Sequence, residues 1–180
     1  MNPIFIVGYM ASGKTTFGKA LARTAGLRHI DLDFFIEQRF HCSVKDFFAS
    51  KGEEEFRRIE GNMLREVGEF SDVVISCGGG TPCFSGNMDY MNSRGMTVCL
   101  KASDDVIADR IIQAGDKRPL MAGKSRDEIM AAIGAHMSVR RPFYDMAKIH
   151  ISGDRLESKS QIASTVDSFI KAYMPGMSAG

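Results

Sequence analysis

No stretch of this 180-residue chain is apolar for long enough to span a bilayer. The N-terminus runs straight into a β-branched segment, without the basic start and long apolar run of an export signal. The sequence therefore predicts a soluble, cytoplasmic protein. Charge of one sign is just as scarce: 23 Lys and Arg interspersed with 22 Asp and Glu leave a net charge of +1. That excludes a broad basic field for nucleic acid or an anionic membrane, so positive charge must act locally if it acts at all. The cysteines, Cys42, Cys77, Cys83 and Cys99, lack paired C-x-x-C spacing with nearby histidines and read as structural thiols in a reducing compartment. There is no internal repeat and no low-complexity segment. The twelve methionines are scattered and read as core filling. An apolar content of 44% suffices for one proper core, and a monomer is the default expectation.

What the sequence does have begins at residue 3. Pro-Ile-Phe-Ile-Val reads as a strand, Gly8-Tyr-Met-Ala-Ser-Gly13-Lys14-Thr15 as a glycine loop, and Phe17, Ala20, Leu21 and Thr24 fall at helical spacing. This is a P-loop. Gly8 and Gly13 tolerate the path that lets successive backbone N–H groups wrap a polyphosphate, and the helix that follows favours an anion at its first turn. Lys14 adds a charge at the β- and γ-phosphates, and the Thr15 hydroxyl can be offered to Mg²⁺.

Further along, Gly26 reads as a helix stop before a short strand ending at Asp31, and Asp33 opens a helical stretch. Ser43 reads as the N-cap of a short helix ending near Gly52, and Phe56, Ile59, Met63, Leu64 and Val67 mark a longer helix that carries Arg57, Arg58 and Glu60. A buried strand at 72–76 leads into Gly78-Gly79-Gly80. Then come a helix near 86–94, a strand at 96–100, and a helix capped by Ser103 that runs through Arg110. A polar, glycine-bounded loop at 115–124 contains Arg118, and a capping box at Ser125 and Glu128 opens a long helix towards Tyr144. A last strand at 147–151 and a closing helix complete the pattern, with a disordered tail from Pro175. Five alternations of strand and helix predict an α/β protein, a three-layer α/β/α domain with a five-stranded parallel sheet spanning 1–174. Ligands bind outside the carboxyl ends of such strands. Gly8–Thr15, Asp31–Asp33 and Gly78–Gly80 all fall there.

At those ends, Asp31 is a candidate for the Mg²⁺ shell and Asp33 for the acceptor hydroxyl, although an aspartate in that place can simply cap a helix. The three glycines expose backbone N–H groups to an oxygen-rich or anionic ligand; a turn needing positive φ accounts for one of them more comfortably than for three. Arg57 and Arg140 form a candidate bidentate clamp for a carboxylate, although charges on helices are usually solvated. Arg118 is a candidate phosphate clamp delivered by a lid, which would also exclude water.

In the order Gly-Tyr-Met-Ala-Ser-Gly-Lys-Thr-Thr-Phe-Gly, Ile-Asp-Leu-Asp, Phe-Arg-Arg-Ile-Glu, Cys-Gly-Gly-Gly, Lys-Arg-Pro-Leu and Arg-Arg-Pro-Phe-Tyr, these motifs resemble those of shikimate kinases over essentially the whole chain. The resemblance implies ATP-dependent phosphorylation of the shikimate 3-hydroxyl in the chorismate pathway, on a P-loop kinase fold with a mobile lid near 115–124 and substrate-binding helices near 33–64. It implies that Gly8, Ala11, Ser12, Gly13, Lys14, Thr15 and Thr16 hold ATP, with Thr15 and Asp31 at Mg²⁺. Asp33, Arg57, Gly78, Gly79, Gly80 and Arg140 would meet shikimate, Arg118 matches the lid arginine, and Arg110 the one against adenine. The sequence departs from the family's pattern in two places. Ala11 stands where glycine is usual, tolerable if φ is negative, and Phe143 stands for leucine. A gluconate-like kinase and a non-catalytic sensor of shikimate or nucleotide are the rival readings. The glycine triplet and the arginine pair count against the first, and intact Lys14, Asp31, Asp33 and Arg118 against the second.

Overall fold

The computed structural model describes residues 1–115 and 123–176. Five strands, β1 (Ile4–Val7), β2 (Arg28–Asp31), β3 (Val73–Ser76), β4 (Met96–Lys101) and β5 (Ile149–Ser152), form one parallel sheet in the order β2-β3-β1-β4-β5. Side-chain alternation of period two divides the central strands β1, β3 and β4 between two cores, while the edge strands β2 and β5 each face one. On one face Ile4, Ile6, Val74, Val98 and Leu100 pack with Phe17 and Leu21 of α1 (Lys14–Thr24) and with Val166, Phe169 and Ile170 of α7 (Lys159–Tyr173). On the other, Phe5, Val7, Val73, Ile75 and Cys99 pack against α2 (Leu32–Phe40), α3 (Val44–Gly68), α4 (Asn87–Arg94), α5 (Asp104–Ala114) and α6 (Arg126–Tyr144). The result is the three-layer α/β/α arrangement that the strand–helix alternation predicts. Among the described residues no helix is long and apolar enough to cross a membrane.

Local chemistry sets the element ends. Gly26, at φ 67°, lets α1 close with a bond from the Leu27 N–H to the Ala22 carbonyl at 2.8 Å, a conformation that a side chain would strain. Gly52, at φ 80°, breaks α3 into a short and a long helical piece, at the junction that the sequence predicts. Ser125 and Glu128 make the expected capping box at α6. Ser103 stands at the start of α5 but makes no capping bond. Its N–H and hydroxyl both reach Asp154 Oδ1, at 2.8 and 3.2 Å, which ties the start of α5 to the loop after β5. The residue that caps α2 is Asp31 rather than Asp33: its Oδ1 accepts from the Phe34 N–H at 3.3 Å. Asp33 is thereby left in the first turn of α2 for other work. The predicted lid lies largely outside the described residues, as do the last residues of the tail.

Candidate active site

The loop between β1 and α1 is held from several sides. A Cβ on Gly8 (φ 139°) would sit 2.5 Å from the Leu100 carbonyl oxygen, and one on Gly13 (φ 101°) would sit 2.6 Å from Leu156 Cδ1, so both positions need glycine for conformation and for space. Ser12 is fully buried beneath the loop, its N–H bonded to the Tyr9 carbonyl at 3.2 Å. Its hydroxyl has no hydrogen-bond partner among the described residues. Ala11, Gly13, Lys14, Thr15 and Thr16 face the cleft. The Lys14 ammonium donates to the Tyr9 carbonyl at 2.7 Å, which curls it over the loop where phosphate would lie. Arg110, from α5, donates to the carbonyls of Ala11 (3.1 Å) and Gly153 (2.9 Å) and pairs with Glu157. It therefore braces the loop while lining the same cleft.

At the carboxyl end of β2 the Thr15 hydroxyl donates to Asp31 Oδ2 at 2.8 Å. A hydroxyl oxygen and a carboxylate, side by side at the mouth of a phosphate loop, are the hard oxygen donors that Mg²⁺ takes together with phosphate and water.

These residues line one end of a cleft of about 510 Å³. Asp33, Arg57, Glu60, Gly78, Gly79, Gly80 and Arg140 line the other, with Phe48 and Phe56 as an aromatic wall. Burial, reinforced by Glu60 and Asp31 and opposed by Lys14 and Arg57, raises the Asp33 carboxyl from 3.8 to about 6. Arg57 donates to Glu60 at 2.9 Å and to Glu53 at 3.1 and 3.2 Å, and its guanidinium lies over the Phe84 ring, 4.4 Å from the centroid. The Arg140 guanidinium lies 5.6 Å from the centroid of Tyr9. Two further bonds hold the floor of this end: from the 3₁₀ turn Thr81–Cys83 the Thr81 hydroxyl donates to Glu60 at 2.5 Å, and from α6 the Tyr144 hydroxyl donates to the Gly79 carbonyl at 2.6 Å.

The three consecutive glycines are explained by their neighbours. None has positive φ. An added Cβ on Gly78 would lie 2.9 Å from Asp33 Oδ1; on Gly79, 3.3 Å from the Met10 amide; on Gly80, 2.5 Å from the Arg57 guanidinium. Each missing side chain makes room for a different part of the site.

Comparison with known proteins shows the family. The family model for shikimate kinase matches residues 10–171. A shikimate kinase of Phocaeicola vulgatus is 51% identical over 171 residues, covering 95% of this chain and 98% of the relative. The chain belongs to the shikimate kinase family. A crystal structure of the family from Bacteroides thetaiotaomicron, 46% identical, superimposes with a TM-score of 0.93 over 96% of this chain and 98% of that one. A second, from Acinetobacter baumannii in complex with shikimate, shares 24% identity and the fold, with a TM-score of 0.82 over 97% and 93% of the two chains.

Set against the family's pattern, Ala11 behaves otherwise than the sequence suggests: its φ is 60°, in the left-handed region, rather than negative. The bond from Arg110 to its carbonyl helps to hold that conformation, which costs an alanine roughly 1–2 kcal/mol. Arg118, which the resemblance matches to a lid arginine, lies outside the described residues. One shikimate kinase residue escaped the sequence reading as a site residue altogether. Glu60 is fully buried and carries both Arg57 and Thr81. The signal for it was present, since Glu60 stands three residues after Arg57 and beside the apolar face of its helix, a place where a carboxylate needs a partner.

Proposed function

We propose that the chain transfers the γ-phosphoryl group of ATP to the 3-hydroxyl of shikimate, giving ADP and shikimate 3-phosphate, with the residues around the cleft dividing the work between donor and acceptor. The observation that carries this reading is the meeting, in one cleft, of the phosphate group Lys14, Thr15 and Asp31 with a carboxylate and two guanidiniums set around a glycine floor.

On the donor side the loop amides and Lys14 hold the triphosphate, with Thr16 at the first turn of α1 and Arg110 towards the base. Thr15 and Asp31 hold Mg²⁺, which neutralises charge on the phosphate oxygens when bound. On the acceptor side Arg57 and Arg140 take the shikimate carboxylate, which fixes the ring over Gly78, Gly79 and Gly80. Asp33 accepts a hydrogen bond from the hydroxyl that attacks. With its carboxyl near 6, Asp33 is ionised at neutral pH, and it orients the nucleophile in line with the γ-phosphorus. In a loose transition state this positioning contributes more than proton removal early in the reaction. Arg118 keeps the phosphate-clamp role that the resemblance implies. Residues 1–174 are read as a single kinase domain acting as a monomer on a small molecule in the cytoplasm, with neither nucleic acid nor membrane as partner.

The test is ADP release by the purified protein with MgATP, with and without shikimate, beside Arg140→Ala. Release that requires shikimate and collapses in the variant is the expected result. Nucleotide binding without shikimate-dependent turnover would overturn the acceptor assignment and reopen the gluconate-like and sensor readings.

A further inference from the structure

Tyr9 is the one large side chain of the phosphate loop that turns away from the phosphate and into the protein, where it is 2% exposed. Three contacts converge on it. Its carbonyl accepts from the Lys14 ammonium at 2.7 Å. Its ring lies beneath the Arg140 guanidinium, 5.6 Å from centroid to Cζ. Its hydroxyl meets His136 Nδ1 at 2.6 Å. His136 and Arg140 are four residues apart on α6 and therefore share a face of that helix, and Tyr9 touches both. Burial raises the Tyr9 hydroxyl and lowers the His136 imidazolium, so the pair is neutral; in the tautomer with the imidazole proton on Nε2 the hydroxyl donates to Nδ1.

We propose that Tyr9 is a positioning residue for the reaction: anchored by His136, its ring holds the Arg140 guanidinium in place for the acceptor carboxylate, while its carbonyl steadies Lys14 on the donor side. The proposal rests on the reading of Arg140 as a carboxylate clamp. An arginine on a long side chain loses rotamer freedom when it binds a carboxylate bidentately, and an aromatic face that holds it beforehand lowers that cost. The arrangement also provides an internal control. The bond to Lys14 comes from the main chain and survives any side-chain replacement, so the donor and acceptor sides separate experimentally.

Steady-state kinetics on Tyr9→Leu, Tyr9→Phe, His136→Ala, His136→Gln and Arg140→Ala test this, with shikimate and with its uncharged primary carboxamide as acceptors. Tyr9→Leu is expected to raise the shikimate KM about tenfold, the size of a partly desolvated cation–π contact, while the ATP KM stays within about twofold. Its kcat/KM for the carboxamide should change by less than about twofold, because that acceptor offers the clamp no charge. Tyr9→Phe and His136→Ala should each raise the shikimate KM about threefold, and the double variant should do no more than either. His136→Gln, which still accepts from the hydroxyl, should restore the wild-type value. If Tyr9→Leu fails to fold, the hydroxyl pair and its double variant decide alone. An Arg140→Ala variant impaired for shikimate beside a normal Tyr9→Leu would overturn the role of Tyr9 and leave the clamp standing. Equal losses on both acceptors would overturn it too, by marking the effect as general damage to the loop. An Arg140→Ala variant with an unchanged shikimate KM would remove the clamp itself.

Discussion

Replacing the three glycines one at a time by alanine should give three different enzymes, and Gly80→Ala is the most informative. Its φ is negative, so the backbone accepts alanine without strain and the effect is steric alone. The new methyl would lie 2.5 Å from one Arg57 guanidinium nitrogen and 2.9 Å from the other and from Cζ, so the guanidinium must move by close to an ångström. Moving it puts two contacts at risk: the charged hydrogen bond to the buried Glu60, worth about 1.5–3 kcal/mol, and the contact with Phe84, worth about 0.5–1 kcal/mol. Part of this is regained by repacking over a partly open cleft. A net loss of about 2 kcal/mol raises the shikimate KM roughly thirtyfold. Nothing on the donor side is touched, so the ATP KM should stay within about twofold. Gly79→Ala, whose methyl needs only a few tenths of an ångström from the Met10 amide, should cost about threefold or less. Gly78→Ala presses on Asp33 and should act chiefly on kcat. The assay is coupled ADP release with each substrate varied in turn, on protein whose thermal unfolding has been compared with wild type. A Gly80→Ala enzyme within twofold of wild type for shikimate, or one whose two KM values rise together, would refute the steric account.

The remaining predictions concern charge and backbone. Because the fold raises the Asp33 carboxyl from 3.8 to about 6, ionised Asp33 destabilises the native state; the cost is absent below pH 3.8, grows between the two values and is complete above about 6. At about 1.4 kcal/mol per pH unit it reaches at most about 3 kcal/mol. Asp33→Asn, unfolded by urea in EDTA without nucleotide, should therefore exceed wild type in stability near pH 8 and lose that margin towards pH 4, while most of kcat is gone; a margin that does not vary with pH sinks the idea. Glu60→Gln leaves a neutral acceptor for Thr81 but removes the charge that holds Arg57, and should raise the shikimate KM about tenfold or more with ATP binding intact. Wild-type kinetics in that variant would leave Glu60 a purely structural carboxylate. At Ala11, with φ 60°, glycine should be nearly neutral in stability, because relieved strain and added chain entropy offset one another at about 1 kcal/mol each. Valine there should weaken ATP binding at least tenfold, and calorimetric titration showing normal affinity would contradict the geometry.

Much of this was readable from the sequence because the signals are local. The strand before Gly8, the caps at Ser43 and Ser125, and the stop at Gly26 are decided by residues within a turn of one another. The ends of β1, β2 and β3 could be brought to one cleft on paper because a parallel sheet leaves no other place for them. What depends on contacts between segments distant in sequence was not legible. The glycine triplet was visible as a triplet, but its three separate reasons required Asp33, Met10 and Arg57 to be in place. The hydroxyl of Ser103 was lost to Asp154, a residue of another loop, which no cap propensity reveals. The sign of φ at Ala11 follows from the path of the loop around Arg110, and nothing in the motif marks Tyr9, whose partners His136 and Arg140 stand more than a hundred residues away on α6.

The break in α3 at Gly52 has a consequence for how such an enzyme changes over evolutionary time. A Cβ there would meet no atom within 4 Å, so glycine serves the joint by its backbone conformation and not by saving space. On one side of it ride Val44 and Phe48; on the other ride Phe56, Arg57 and Glu60, and across it the Phe48 ring lies 4.6 Å from that of Phe56 and 5.6 Å from the Arg57 guanidinium. The wall thus spans two helical pieces joined by a single glycine, and the charge sits on the second. Because both wall rings also lie against the Arg57 guanidinium, a lineage that reshapes the wall moves the carboxylate recognition with it, and the two are expected to change together.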